Sequence, residues 1–447
     1  MKAPASPRLP VVGNLIEFRR DALRFLCSMR ERHGDVVEVA IGPLKVTLLS
    51  HPDLVEDILV TRNRLWQKDR FLQVTLRPIV GNGLLSSEGD FWRKQRRLAQ
   101  PAFHRDRIAA YAGIMVEEAS RLARTWRDGE VRDVHKDMMG LTLGIVAQTL
   151  FGANVGDHAD DVGESLEAVL AVVADPLELF VPFLKHLPTP QRRRFNRAVT
   201  KLDAIIYGVI EERRRTGAAE AIDLLSMLLH AQDEDGSRMT DTQLRDECLT
   251  LFLAGHETTA LNLSWTWLLL SQNPDVKARL TRELDEVLGD RAATFADLPN
   301  LRYTSNVIAE SLRLYPPAWS MGREAREDVD VGGYRIRRGE QVWFCPWSIH
   351  RDPRWFDDPD VFRPERWEGD FAKRLPRYAY FPFGGGPRFC IGQSFAQLEA
   401  VLLLATLARD FDVDVLPRPL AIPEPSVTLR PKNGLRVRVR RRTLSAA

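Results

Sequence analysis

The chain is 447 residues long, 44% hydrophobic and 28% charged, with a formal net charge of +2. Such a composition excludes a disordered chain and supplies an ample core, and so small a net charge gives no global case for nucleic-acid binding. Length alone permits one large domain or a few ordinary ones. No apolar run reaches the roughly 18–20 residues of a membrane span. The best candidates, around 169–184 and 401–407, are broken by Asp175 or too short. The opening MKAPASPRLPVVGN is Pro-rich and polar, unlike a signal peptide, so no integral membrane anchor is expected. Cys27, Cys248, Cys345 and Cys390 are scattered and form no C-x-x-C pair. That argues against a disulfide framework or a zinc site and fits a reducing cytoplasm.

The N-terminal third mixes short β-type runs, VVEVAIG and KVTLLS, with helical segments, so a small sheet should pack beside a mostly helical body. Helices are expected around 53–61, 89–99, 104–126, 134–151, 161–175, 190–215 and 220–232. The longest should run from about 241 to 272, capped by Thr240 with Gln243 and stopped at Asn273-Pro274. At that length it spans roughly 48 Å. Further helices fit 275–288, 300–314 and 391–409, with VDVGGYRI and EQVWFCPW between them as strands. The closing LRVRVR alternates apolar residues with arginine, as an edge strand with one wet face would.

The most informative stretch is Phe383 to Gly392, FGGGPRFCIG, in which one cysteine follows a glycine-rich turn and precedes a helical run. Free backbone N–H groups and the helix dipole favour the thiolate there, and amides aimed at sulfur tune a bound metal. The glycines permit a tight turn and close approach to a flat ligand, and Arg388 can reach an anionic edge of that ligand. Within the long helix, Ala254 and Gly255 leave room for a ligand, while Glu257 and Thr258 place an acid beside an alcohol in apolar surroundings. Such a pair is costly unless it relays protons or meets other polar groups, and a threonine hydroxyl can bond the carbonyl four residues back. Glu310 and Arg313 stand three apart on one helix face. Trp92 and Arg96 stand four apart, which alone describes a basic amphipathic helix with a half-buried indole.

The string F-x-x-G-x-R-x-C-x-G resembles the cysteine loop of the haem-thiolate monooxygenases, the cytochrome P-450 family, and the resemblance extends over essentially the whole chain. It implies the cytochrome P-450 fold: mainly α with small β-sheets, the long central helix crossing the haem, and residues 1–447 as one haem domain without a fused reductase. By the same resemblance Cys390 is the axial ligand of haem b (iron protoporphyrin IX). A-G-x-E-T implies Glu257 as proton relay and Thr258 as hydrogen-bond donor, with His256 at a variable, non-ligating position. W-x-x-x-R implies that Trp92 and Arg96, with Arg388 and Arg323, hold the haem propionates. Three cations for two carboxylates is sensible chemistry. Glu310, Arg313 and Arg366 of FRPERW resemble the family's Glu–Arg–Arg triad, a structural lock ahead of the cysteine loop.

The activity implied is insertion of one oxygen atom from O2 into an apolar small molecule, with Cys390 pushing electron density toward O–O cleavage. Electrons come from a ferredoxin or flavodoxin and an NAD(P)H-dependent reductase. Arg93, Lys94 and Arg97 form either a docking patch for such an acidic protein or a solvated face. YPPAW and VTLRPKNGL look like soluble bacterial members that oxidise fatty acids, terpenoids or carotenoids. Pocket walls are expected from 72–85, 169–184, 253–258 and 318–321. A cytoplasmic monomer is expected. An H2O2-driven peroxygenase and a non-catalytic haem-binding sensor are the competing readings.

Overall fold

The computed structural model describes residues 2–70, 72–152, 163–166, 168–169, 172, 189–216, 223–232 and 236–442. Most of the expected helix at 161–175, and part of that at 220–232, lie outside the described residues.

The longest helix runs Asp241–Gln272. Its start is fixed reciprocally: Thr240 Oγ1 accepts from the Gln243 N–H at 3.3 Å, and Gln243 Oε1 accepts from the Thr240 N–H at 2.7 Å. Pro274 then opens the Pro274–Val287 helix, where its missing N–H costs nothing. This long helix is apolar nearly all round and buried along most of its length, as a helix at the centre of a fold must be. Ala254 is exposed, and Gly255 and Thr258 are half-buried, forming one bare strip. The Val134–Phe151 helix packs along it, and a side chain at Gly255 would press within 3.2 Å of Val146. Thr142 Oγ1 donates to the His256 carbonyl across the same contact at 2.8 Å. A Cβ at Gly255 would require Val146 to give way by a few tenths of an ångström.

Around this axis pack Gly89–Ala99, Arg105–Thr125, Arg302–Leu314 and Gln393–Asp410, which share one extended apolar core with its C-terminal half or lie against its N-terminal half. A five-stranded sheet stands to one side in the order β1 (Val36–Ile41), β2 (Leu44–Leu49), β8 (Gln341–Phe344), β5 (Met321–Ala325), β3 (Trp66–Lys68). Its β2–β8 pair is parallel and the others antiparallel, so it draws together segments distant in sequence. β6 (Val329–Val331) and β7 (Tyr334–Ile336) form the expected hairpin around Gly332-Gly333.

LRVRVR departs from expectation. As β12 (Arg436–Arg441) it is the central strand of a three-stranded sheet, between β4 (Val131–Asp133) and β9 (Phe411–Val415). Alternation reveals that one face is wet, with Val437 and Val439 buried and the arginines outward, but it is silent about neighbours on either side. Arg440 pairs with Asp414 and Arg438 donates to the Gly129 carbonyl, so the arginines are a solvated face, as expected.

Candidate active site

The cysteine loop is built by a single turn, Gly386–Arg388, closed by the Phe389 N–H donating to the Gly386 carbonyl at 3.1 Å. The Cys390 N–H donates to the Phe383 carbonyl at 3.0 Å, pinning the loop across its neck. Gly386 has φ +63°, and a side chain there would overlap the Leu59 carbonyl. A side chain at Gly385 would strike the Tyr378 ring. These two glycines permit a close approach to the protein's own backbone and aromatic ring. Cys390 is the exposed member of the four free cysteines. Helix Gln393–Asp410 is capped by Gly392, so the thiol stands two residues before the cap. Although one side of Cys390 is open, the protein atoms packed around the sulfur raise its pKa, against the Gly392 N–H and the Arg96 cation, which lower it. The expected thiolate therefore does not follow from the helix terminus alone; a bound metal is what deprotonates such a sulfur.

Beside the loop the Trp92 indole is ringed by cations: Arg388 lies 4.9 Å from the ring centre, and Arg96 and Lys68 each lie 5.9 Å from it. Arg323 joins them because β3 pairs with β5, setting Lys68 opposite Arg323. Glu88, Asp69 and Glu247 are the carboxylates that act on them. Glu88 takes two bonds from Arg388, one at 2.7 Å, and a third from Arg326 at 3.0 Å. Arg326, the near neighbour of Arg323 in sequence, thus serves Glu88 at the rim. Arg323 points inward over the Phe344 ring and bonds the Gly322 carbonyl at 2.7 Å. Burial first, and the Arg388 charge second, depress Lys68 to about 7 and Arg323 to about 10. Glu88, Asp69 and Glu247 oppose this, yet Lys68 and Arg323 stay depressed, so added carboxylates would relieve them. Neither Lys68 nor Glu88 was visible in the sequence: a lone Lys and a lone Glu in loop-flanking segments read as surface residues.

On the long helix Thr258 Oγ1 donates to the Ala254 carbonyl at 2.8 Å, the expected four-residue back-bond. Glu257 is buried and firmly held: Thr428 Oγ1 donates to it at 2.7 Å and Arg430 Nε at 2.6 Å, with Arg430 Nη2 closing an ion pair. The sequence contained Arg430 within VTLRPKNGL, but nothing local ties it to a residue 173 positions earlier. The Glu257 side chain is 3% exposed and that of Arg430 26%, so the guanidinium leads from the acid to the surface. His256 stacks on Phe252 at 6.1 Å and serves packing.

A cavity of about 880 Å³ opens against this assembly. Phe18, Trp319, Met321, Trp343, Trp347 and Ile422 give it an apolar, aromatic side, and Arg19, Arg20, Asp21, Arg24, Asp69, Arg351, Asp360, Glu424 and Lys432 a charged one. Met321 also lies against Gly384 of the cysteine loop, 3.7 Å from where a Cβ would stand. Of the expected walls, 72–85 contributes Thr75 and 318–321 contributes Trp319 to Met321. The stretch 253–258 does not line it, and 169–184 lies almost wholly outside the described residues. The walls at 15–24 and 422–427 were missed, since they come from two helices near one chain end and a short hairpin near the other. A second cleft of about 750 Å³ runs along Arg93, Arg96, Arg97 and Arg107. Lys94, expected on that face, instead bonds Ser237.

Iron protoporphyrin IX asks for a sulfur donor, cations for two propionates and a bare surface against one face. Cys390 offers the first, the excess cations around Trp92 the second, and the Ala254–Gly255–Thr258 strip the third, so the residues fit the group. Among the described residues no cluster of three or more His, Cys, Asp or Glu could hold a metal by itself.

The cytochrome P450 family profile matches residues 4–438. The cyclooctat-9-en-7-ol 5-monooxygenase of Streptomyces melanosporofaciens is 38% identical over 420 residues, covering 93% of this chain and 90% of the relative. The pentalenene oxygenase of Streptomyces avermitilis is 37% identical over 438 residues, covering 97% and 96%. The solved structure of retinoic acid bound cyanobacterial CYP120A1 superposes with a TM-score of 0.88 at 26% identity, covering 99% of each chain. The chain belongs to the cytochrome P450 family, the haem-thiolate monooxygenases, whose cofactor is haem b.

Proposed function

We propose that this P450 oxidises apolar terpenoids, drawing electrons from a separate ferredoxin or flavodoxin served by an NAD(P)H-dependent reductase. The observation that carries the reading is the aromatic-lined cavity of about 880 Å³ that meets the cysteine loop at Met321. Pockets of that size bury a drug-sized ligand, and the aromatic side of this one would take its apolar body. The names of the two Streptomyces relatives support terpenoid substrates over fatty acids or carotenoids. Residues 1–447 are read as one haem domain and a cytoplasmic monomer. The arginine-lined cleft beside Trp92 suits an acidic electron donor. A panel of pentalenene, cyclooctat-9-en-7-ol, retinoic acid, β-carotene and palmitic acid tests the assignment through binding-induced Soret shifts. Product should form with NADPH and a surrogate ferredoxin and reductase. Turnover on palmitic acid alone would sink the terpenoid reading, and turnover on H2O2 without reductant would favour the peroxygenase.

Haem, held by Cys390, supplies the oxygen chemistry. Trp92, Arg96, Arg323 and Arg388, with Lys68, would hold its propionates. Each charge-assisted bond is worth roughly 1–3 kcal/mol. Arg96→Ala/Arg388→Ala should therefore lower haem occupancy and weaken haem affinity at least tenfold, roughly, by titration of the apoprotein. Unchanged affinity in the double variant would place the two arginines elsewhere.

Glu257 relays protons, and Thr258 donates a hydrogen bond at the bare strip once its hydroxyl leaves the Ala254 carbonyl. Thr258→Ala should bind substrate normally yet release reducing equivalents as hydrogen peroxide, lowering product per NADPH. Glu257→Gln removes the ionisable group and should slow O2-dependent turnover as a whole, on the order of 100-fold. Wild-type rate and coupling in both variants would defeat the acid–alcohol assignment.

A further inference from the structure

We infer that Glu247, on the long helix, is a redox-linked proton acceptor that takes up a proton on reduction of the bound haem, with Lys68 as the link between them; this rests on the assignment of Lys68 to the propionates made above. One peptide group joins the two side chains. The Leu84 N–H donates to Glu247 Oε2 at 3.0 Å, and Lys68 Nζ donates to the Leu84 and Ser87 carbonyls, each at 2.7 Å. Glu247 is 1% exposed and Lys68 5%. Glu247 Oε1 has no hydrogen-bond partner. The same holds for the buried hydroxyls of Ser87, in the segment Lys68 grips, and of Thr250, one turn along the long helix from Glu247. Thr250 lies against that segment too, since a side chain at Gly83 would overlap its hydroxyl.

Native proteins rarely bury polar atoms without partners, and such orphans mark ordered water or a functional task. A protonated carboxyl can donate where the ionised form only accepts, so a free oxygen beside such hydroxyls suits a group that gains a proton. Burial pushes Glu247 up to about 8, against the Leu84 N–H, which lowers it. Among the described residues two charged side chains act on it: Asp246, its neighbour on the helix, raises it, and Lys68, from β3, lowers it. Asp246 accepts from the Asn82 N–H at 2.7 Å and from Arg245 at 2.9 Å, and Arg245 also bonds Asp203 of the Pro190–Thr216 helix. Of the other elements packed on this helix, Arg77–Val80, Val134–Phe151, Leu224–His230, Pro274–Val287, Arg302–Leu314, Gln393–Asp410 and β9, none brings a charged side chain to Glu247. Glu247 is thus poised to change charge near neutral pH, whereas Glu88 is bound to Arg388 and Arg326.

Reduction adds one negative charge at the haem. Across a low-dielectric interior that charge raises the proton affinity of a nearby acid. The balance is one electron from the electron donor to the bound haem and one solvent proton to Glu247. The bond formed is Oε1–H, and the bond broken is an O–H of hydronium. The net charge of the buried cluster is then unchanged by reduction, which spares the interior an uncompensated charge.

The test is potentiometry of the holoenzyme. Its reduction potential should fall as pH rises through the Glu247 pKa, and reduction should add the infrared carbonyl stretch of a protonated carboxylic acid. E247Q, whose amide oxygen can still accept from Leu84, should lose both the pH dependence and the band. K68M removes the cation that lowers Glu247, so its pH dependence should move to higher pH while its haem affinity, by titration of the apoprotein, weakens. A wild-type potential that stays flat across neutral pH, or reduction without the band, overturns the proposal whether or not E247Q folds well. So do a slope and a band that persist in E247Q. If K68M binds haem less tightly while E247Q keeps the slope, the propionate reading stands and Glu247 has no part in it. If K68M binds haem as the wild type does and its pH dependence is unmoved, the propionate reading of Lys68 has failed, and the link to Glu247 with it.

Discussion

A Cys390→Ser chain is expected to lose the long-wavelength Soret band of the reduced carbon monoxide complex, and with it all monooxygenase turnover. The argument rests on where the other sulfurs lie. Cys248 and Cys345 are buried, and burial pushes both thiols far up, Cys345 to about 12. Cys27 sits at the cavity wall among Phe18, Leu23 and Arg351, also with its pKa raised by burial. None adjoins the Trp92 cations or the bare strip of the long helix. Serine keeps the loop's bonds, since the Cys390 N–H to Phe383 contact is made by backbone. It replaces a soft, readily ionised donor with a hydroxyl that ligates iron weakly. Haem retained by the arginines without the thiolate spectrum would therefore be the informative outcome. Survival of the band would remove Cys390 from its role.

What the sequence revealed, and what it hid, divides by the distance over which each feature is decided. Thr240 with Gln243, and Asn273-Pro274, are local instructions, and the helix they bound was legible to the residue. The fourfold back-bond of Thr258 is equally local. Cys390 was legible because several chemical requirements fall within ten residues. The acid's clamp was not: Thr428 and Arg430 reach Glu257 only after the C-terminal strands have folded over the long helix. Lys68 was hidden for another reason. A lysine in a short strand reads as solvated, and only the pairing of β3 with β5 carries it beside Arg323. β12 shows the remaining limit, since period-two burial states which face is wet and leaves strand order open.

The Glu310 carboxylate offers the largest expected effect on the fold. It accepts from Arg313 Nε at 2.9 Å and Nη2 at 2.8 Å, Arg366 Nε at 2.8 Å, Trp367 Nε1 at 2.9 Å and the Arg363 N–H at 3.1 Å. Arg313 then bonds the carbonyls of His350 and Pro359, and Arg366 that of Asp357. The triad therefore fastens the Arg302–Leu314 helix to residues 350–367. That segment in turn holds the approach to the cysteine loop, because the Phe381 N–H donates to His350 Nε2 at 3.0 Å. Glu310→Gln keeps the shape but strands two buried guanidiniums without their counter-charge, a loss of roughly 3–5 kcal/mol. Against a total stability of about 5–15 kcal/mol, soluble holoprotein should fall sharply and its thermal midpoint with it. Asp370→Asn, which breaks the exposed pair with Lys373, should cost no more than about 1 kcal/mol. The same knot sets an acid limit. His350 accepts a bond and is held well below its ordinary value of 6.5 by burial and by Arg313. Its neutral form stabilises the fold above that value, and the contribution is lost as pH falls toward the depressed one. Thermal melts of wild type and Glu310→Gln across acid pH check both statements. Equal midpoints would show that the ion pair, however well bonded, does not hold the cysteine loop in place.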